Sequence, residues 1–136
     1  LNGSNPLLGY GLGMFGGAIS MQTQIMDWIE YFYMDNYYLK ILVEMGYIGL
    51  VFFALLMLSL VLTGSRVLHR SRPRKCPMEG ALYPLCAGMF SGLCGVLAHC
   101  FFENIFEQPY MMVYFWVIAA MLVWCGFLQD RKEAEA

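Results

Sequence analysis

The residues whose types and spacing can do chemistry concentrate in one stretch, Asp35-Asn36-Tyr37-Tyr38-Leu39-Lys40-Ile41-Leu42-Val43-Glu44-Met45-Gly46-Tyr47-Ile48-Gly49-Leu50. A carboxylate such as Asp35 can take the proton of a hydroxyl held beside it. Asp and Asn are equally at home as N-caps, so Asp35 also suits the start of a helix beginning at Tyr37. With that start, Lys40 and Glu44 stand four residues apart on one face and can pair. Charges held at or below a membrane surface are costly and tend to serve a pathway or a site. The alternative is a snorkelling pair that ends the helix.

Two further patterns have weaker chemistry. His99 and Glu103 are spaced i, i+4 with Cys100 between them. That face can hold a metal, but with no second ligand cluster an interfacial histidine with a hydrogen-bond partner is the preferred reading, and no metal is expected. Gly11-Leu-Gly13-Met-Phe-Gly16 matches G-x-G-x-x-G. A dinucleotide site needs a preceding buried strand and a βαβ unit, whereas here Asn5-Pro6-Leu7-Leu8 precedes and a long apolar run follows. A loop that lets backbone approach a neighbour closely fits better. The five cysteines form no C-x-x-C pair and read as small hydrophobes, not as a disulfide framework.

The elements that must position these residues are membrane helices. The chain has 136 residues, 60% hydrophobic and only 13% charged, where a soluble domain carries about 25% charged residues. Apolar stretches run over 45–62 (beginning earlier, near Tyr37), 81–102 and 110–128. Each approaches the roughly 20 residues a helix needs to cross the hydrocarbon core, and lipid forces the backbone to satisfy itself as helix. Of the eight Lys and Arg, only Lys40 lies apart; the others fall at 66–75 or at 131–132. The positive-inside rule makes that side cytoplasmic. Asp27, Glu30, Asp35, Glu44, Glu103 and Glu107 fall on the other side.

The expected fold is an all-α integral membrane protein with three transmembrane helices plus a short extracytoplasmic amphipathic helix. Residues 1–36 form an extracytoplasmic Gly-rich loop and interfacial helix, 37–63 the first span and 64–80 a basic cytoplasmic loop. Residues 81–102 form the second span, 103–109 a short extracytoplasmic loop, 110–128 the third span and 129–136 a fraying cytoplasmic tail. The interfacial helix is read from Met21, Ile25, Trp28, Ile29 and Phe32 on one face of 19–33. Gly88-Met-Phe-Ser-Gly92 with Gly95 is expected to pack closely against another helix. The basic loop reads as a topology determinant touching anionic headgroups, with no nucleic acid as partner. Starting at Leu1 without a signal-peptide pattern, the chain reads as the C-terminal piece of a longer protein.

Three blocks resemble the O-antigen ligase and polymerase family of bacterial envelope glycosyltransferases. Asn5-Pro6-Leu7-Leu8-Gly9-Tyr10-Gly11-Leu12-Gly13 resembles its "PLLGxGxG" loop. The segment from Asp35-Asn36-Tyr37-Tyr38-Leu39 to Glu44-Met45-Gly46-Tyr47-Ile48-Gly49-Leu50 resembles its "HN-x-Y-L…E-x-G-x-x-G" pattern. Phe102-Glu103-Asn104 and Tyr114-Phe115-Trp116 resemble endings among its Gram-positive members. The resemblance implies a multi-pass enzyme of the bacterial cytoplasmic membrane, active at its outer face. Such an enzyme moves glycan from an undecaprenyl diphosphate carrier onto another glycan or onto lipid A core, without a cofactor. The carried-over site has Asp35 and Asn36 as catalytic residues and Tyr37, Lys40, Glu44, Glu103 and Asn104 as substrate-binding residues. Asp35 replaces the family's His, which weakens the ligase reading more than the polymerase one. A diphosphate leaving group needs cationic partners, and with Lys40 alone on this side they are expected from further N-terminal membrane helices. The fragment by itself is therefore expected to be inactive. The rival readings are a piece of a polysaccharide or lipid exporter and a non-enzymatic membrane scaffold.

Overall fold

The computed structural model describes residues 5–13, 15, 35–71 and 82–135, without the side chains of Lys132 and Glu133. Among the described residues three long helices run in order: α1 Tyr37–Arg70, α2 Leu82–His99 and α3 Pro109–Ala134, with a single 3-10 turn at Ile105–Glu107 before α3. No strand occurs among the described residues beyond an isolated bridge between Asn5 and Gly9.

Each helix is long and apolar enough to cross a membrane, and at most 22% of the most apolar window in any of them is buried within the protein. Phe52, Leu55, Val113, Val117, Trp124 and Phe127 all remain exposed. Water would penalise so wide an apolar surface, whereas acyl chains accept it. This is a membrane protein. The interfacial helix expected over 19–33 lies outside the described residues, as does the Pro-rich part of the basic loop.

The first and third helices outrun their expected ends, whereas the second, expected over 81–102, closes at His99. The first continues through 64–70 to Arg70, with His69 and Arg70 in its last turn, where cations complement the helix dipole. Ser71 Oγ donates to Val67 O at 2.7 Å, so polar residues continue the coil without lipid. The third helix opens with Pro109, whose fixed φ and missing N–H suit a first helical position. It does not fray after Gly126 but stays helical to Ala134, helped by Arg131 Nε donating to Glu135 Oε1 at 3.2 Å.

Contacts divide the chain into two units. One joins Leu1–Leu56 with Leu97–Met112, so it gathers the start of α1, the end of α2 and the start of α3. The other joins Met57–Val96 with Val113–Ala136. In the second unit Met57, Val67, Cys86, Leu93, Phe115, Ala119 and Leu122 form the buried core. There Arg70 pairs with Asp130, and Gln129 Nε2 donates to Ser71 Oγ at 2.6 Å.

Close helix packing uses other glycines than the motif suggested. A Cβ on Gly88, Gly92 or Gly95 would meet nothing within 4 Å. A Cβ on Gly64 would lie 2.6 Å from the Phe90 ring, and one on Gly126 would lie 2.6 Å from Val67 Cγ2. The spacing of the G-x-x-x-G pattern was right for a small helix face, but among the described residues that face has no neighbour.

Candidate functional site

The chemistry-bearing residues converge in the first unit, around a break in α1. Gly46 has φ 68 and ψ −169, outside the helical region. A break leaves carbonyls before it and N–H groups after it without intrahelical partners, and such groups are expensive away from water. Backbone of 5–11 supplies the partners. Tyr10 N donates to Val43 O at 2.9 Å and Gly11 N to Glu44 O at 2.9 Å, while Tyr47 N donates to Pro6 O at 3.2 Å and Ile48 N to Leu7 O at 3.3 Å. The strap is itself a tight turn, with Leu7 N held by Asn5 Oδ1 at 3.1 Å and Gly9 N by Asn5 O at 2.9 Å.

Strap and break meet glycine to glycine. Gly9 has φ 73, and a Cβ there would lie 2.5 Å from Glu44 O and 2.6 Å from Gly46 N. A Cβ on Gly46 would strike the Leu7 carbonyl and lie 2.7 Å from Gly9 N. Both positions therefore require a residue without a side chain.

The start of α1 is stitched to the end of α2. Asn36 caps α1, its Oδ1 accepting from Leu39 N at 3.0 Å, while its Nδ2 donates to Phe101 O at 3.1 Å. Tyr37 N donates to Cys100 O at 3.0 Å, and Tyr38 Oη to Leu97 O at 2.7 Å. The Tyr37 ring packs edge-on against Phe106 and Phe53, at 5.2 and 5.7 Å between centroids. The cap is thus Asn36; Asp35 stands one residue earlier and is exposed.

Below the cap lies a buried charge cluster. Lys40 Nζ donates to Glu107 Oε1 at 2.8 Å, with side chains only 8% and 5% exposed. Glu44 Oε1 is farther from Lys40 Nζ, at 4.0 Å, and accepts from Phe15 N at 3.2 Å. Asn104, fully buried, donates from Nδ2 to Glu107 Oε2 at 2.7 Å, while its Oδ1 is buried without a hydrogen-bond partner among the described residues. The i, i+4 pairing of Lys40 with Glu44 is therefore the looser contact, and Glu107 holds the lysine. In this arrangement the lysine charge is already met, so a phosphate would reach it only if Glu107 swung aside.

Glu103 parts from Asn104. It is exposed and meets His99, with Oε2 2.9 Å from Nε2. Burial pushes the Cys100 thiol between them up to about 11. Among the described residues no three His, Cys, Asp or Glu side chains gather as a metal site would require.

Of the residues expected to form a site, Asn36, Tyr37, Lys40, Glu44 and Asn104 come together, while Asp35 and Glu103 lie at the exposed rim. Glu107 was missed as a site residue; the available signal was an acid just ahead of an apolar span, facing a side with one lysine. The strap was read as a loop that lets backbone approach a neighbour closely, which it does at Gly46; its partner was not read. The glycines flanking Tyr10 and those at Gly46 and Gly49 were its signal, but their pairing spans most of the unit. Comparison with protein-family models, curated proteins and solved structures finds no match.

Proposed function

We propose that this chain is the C-terminal part of a membrane glycosyltransferase. It transfers or polymerises undecaprenyl-diphosphate-linked glycan at the outer face of the bacterial cytoplasmic membrane. The reading rests on the resemblance of the Pro6–Gly13 and Asp35–Leu50 blocks to the O-antigen ligase and polymerase family. One observation supports it most: those two blocks, separated in sequence, are joined by four backbone hydrogen bonds around Glu44. A motif pair that builds one local structure behaves as a single functional unit. Asp35, at its exposed rim, and Asn36 beside it are the residues assigned to the acceptor, and the buried Lys40–Glu107 pair holds their helix in place.

Alanine at Asp35 and at Asn36, introduced into the complete protein in cells, tests this reading. Polymer is expected to shorten or vanish while the protein stays in the membrane. Unchanged polymer length and yield in both variants rejects the assignment.

The break at Gly46 favours a second reading, an exporter of the same cargo, because transporters build substrate sites at broken helices. Purified protein in detergent separates the two. A transferase forms a new glycosidic bond there, and an exporter forms none.

A further inference from the structure

We infer that the seam between α1 and α3 binds one anionic phospholipid, its phosphate on Arg66 and Arg70 and an acyl chain along α3; this is independent of the glycosyl-transfer reading above. Two grooves on that seam, both within the second unit, carry the inference. The first, of about 500 Å3, is lined by aliphatic and aromatic side chains, among them Leu60 of α1 and Trp116, Ala120, Val123 and Phe127 of α3. The second, of about 300 Å3, is lined by Thr63, Arg66 and Arg70 of α1 and by Gly126 and Asp130 of α3. Val123 and Phe127 line both, so the two are parts of one trough, apolar at one end and charged at the other.

Its length and depth fit a lipid of one leaflet. Trp116 to Phe127 covers about 16 Å of helix at a rise of about 1.5 Å per residue, close to half of a hydrocarbon core about 30 Å thick. The charged end sits where the apolar run stops on both helices, at Leu62 just before Thr63 and at Leu128 just before Asp130. Ala119 and Ala120 leave space between Trp116 and Val123 for a chain. At the charged end α1 and α3 are in tight contact, since a Cβ on Gly126 would lie 2.6 Å from Val67 Cγ2. The walls of the trough are therefore set by helix packing and not by its occupant.

Charge selects the headgroup. Arg66 and Arg70 are four residues apart on one helix face, where like charges repel. Asp130 pairs with Arg70, whereas Arg66 has no ion pair among the described residues. Together the three side chains carry one positive charge, the complement of a single phosphodiester. Guanidinium groups grip phosphate oxygens as planar forks, and Thr63 adds a hydroxyl donor. A zwitterionic lipid brings its own cation to the same place and gains less. The occupant is thus a phospholipid of net charge −1, of the phosphatidylglycerol type. The sidedness expected from the basic residues puts it in the cytoplasmic leaflet, whose surface is negative.

The test uses the complete protein, delipidated in detergent and titrated with phosphatidylglycerol or with phosphatidylcholine of the same acyl chains, bound lipid being counted by native mass spectrometry. One phosphatidylglycerol per chain is expected, held about tenfold more tightly than phosphatidylcholine. Arg66 and Arg70 are exposed, so substitution there leaves the packing intact. Arg66→Gln and Arg70→Gln should each weaken phosphatidylglycerol about fivefold, and Arg66→Lys, which keeps the charge, should retain most of the affinity. Asp130→Asn removes the competing anion and should tighten binding, a gain that a merely structural ion pair would not give. Ala120→Phe, at an exposed position, fills the trough and should weaken both lipids alike. Equal affinity for the two lipids overturns the inference. So does a preference for phosphatidylglycerol that persists when both arginines are replaced by glutamine, or unchanged binding in Ala120→Phe. Displacement of the lipid by inorganic phosphate assigns the arginines to a free ion and overturns it as well.

Discussion

Gly46→Ala offers the sharpest test of how the break and the strap depend on each other. A left-handed backbone costs an L-residue about 1–2 kcal/mol. The added Cβ would also meet the Leu7 carbonyl and Gly9 N, both backbone atoms, so no side chain can rotate away. The relief available is for the strap to lift off. Lifting breaks the four hydrogen bonds that Tyr10, Gly11, Tyr47 and Ile48 donate across the break. At about 1 kcal/mol each, they bring the expected loss to about 5 kcal/mol. That is comparable with the whole stability of a small domain, about 5–15 kcal/mol. The measurement is equilibrium unfolding in mixed detergent micelles, with Gly92→Ala as control. A Cβ on Gly92 meets nothing within 4 Å, and its site is helical, so alanine there should add about 0.5–1 kcal/mol. Gly9→Ala should resemble Gly46→Ala, and the double variant should cost little more than either, because both break one contact. A Gly46→Ala protein within about 1 kcal/mol of wild type would refute the reasoning.

Three other outcomes are expected. Lys40→Met strands the Glu107 and Glu44 carboxylates in a buried site and should cost about 3–5 kcal/mol in the same unfolding assay; replacing Glu107 by Gln as well should recover much of it. Cys100, fully buried and with its thiol pushed up to about 11 from 9.0, stays neutral below that pH. Its thiolate fraction at pH 7 is about a hundredfold below that of an unshifted thiol, so maleimide labelling read by mass spectrometry should find it inert there and reactive only near pH 11 or after unfolding. A tag placed between Arg66 and Lys75 should be reachable only after the cell membrane is opened; labelling from outside intact cells would reverse the proposed sidedness and remove the outer-face chemistry.

The sequence alone determined the class of the protein. Three charge-poor stretches of about membrane length require helices, because lipid offers the backbone no other partner. That Lys40 and Glu44 share a helix face was legible too, since i, i+4 is a property of one helix, although at 4.0 Å theirs is the looser contact. The ends were less so: apolarity marks where lipid stops, whereas a helix continues as far as its hydrogen bonds do, to Arg70 and Ala134.

The tertiary structure alone decided which partners the singled-out residues meet. Gly46 stood in the sequence only as a member of the Asp35–Leu50 pattern, and only the docked 5–11 backbone shows that α1 breaks there and why the break is tolerated. Asn36 rather than Asp35 became the cap because it directly precedes Tyr37, where α1 starts; its Oδ1 accepts from Leu39 N while its Nδ2 reaches Phe101 O. Glu107 rather than Glu44 took Lys40 through a contact spanning 67 positions of sequence. Gly64 and Gly126, not the G-x-x-x-G face, took the close helix packing. Composition and spacing report the solvent and the local face of each helix. Long-range partners are set by how the segments dock, and no local pattern encodes that.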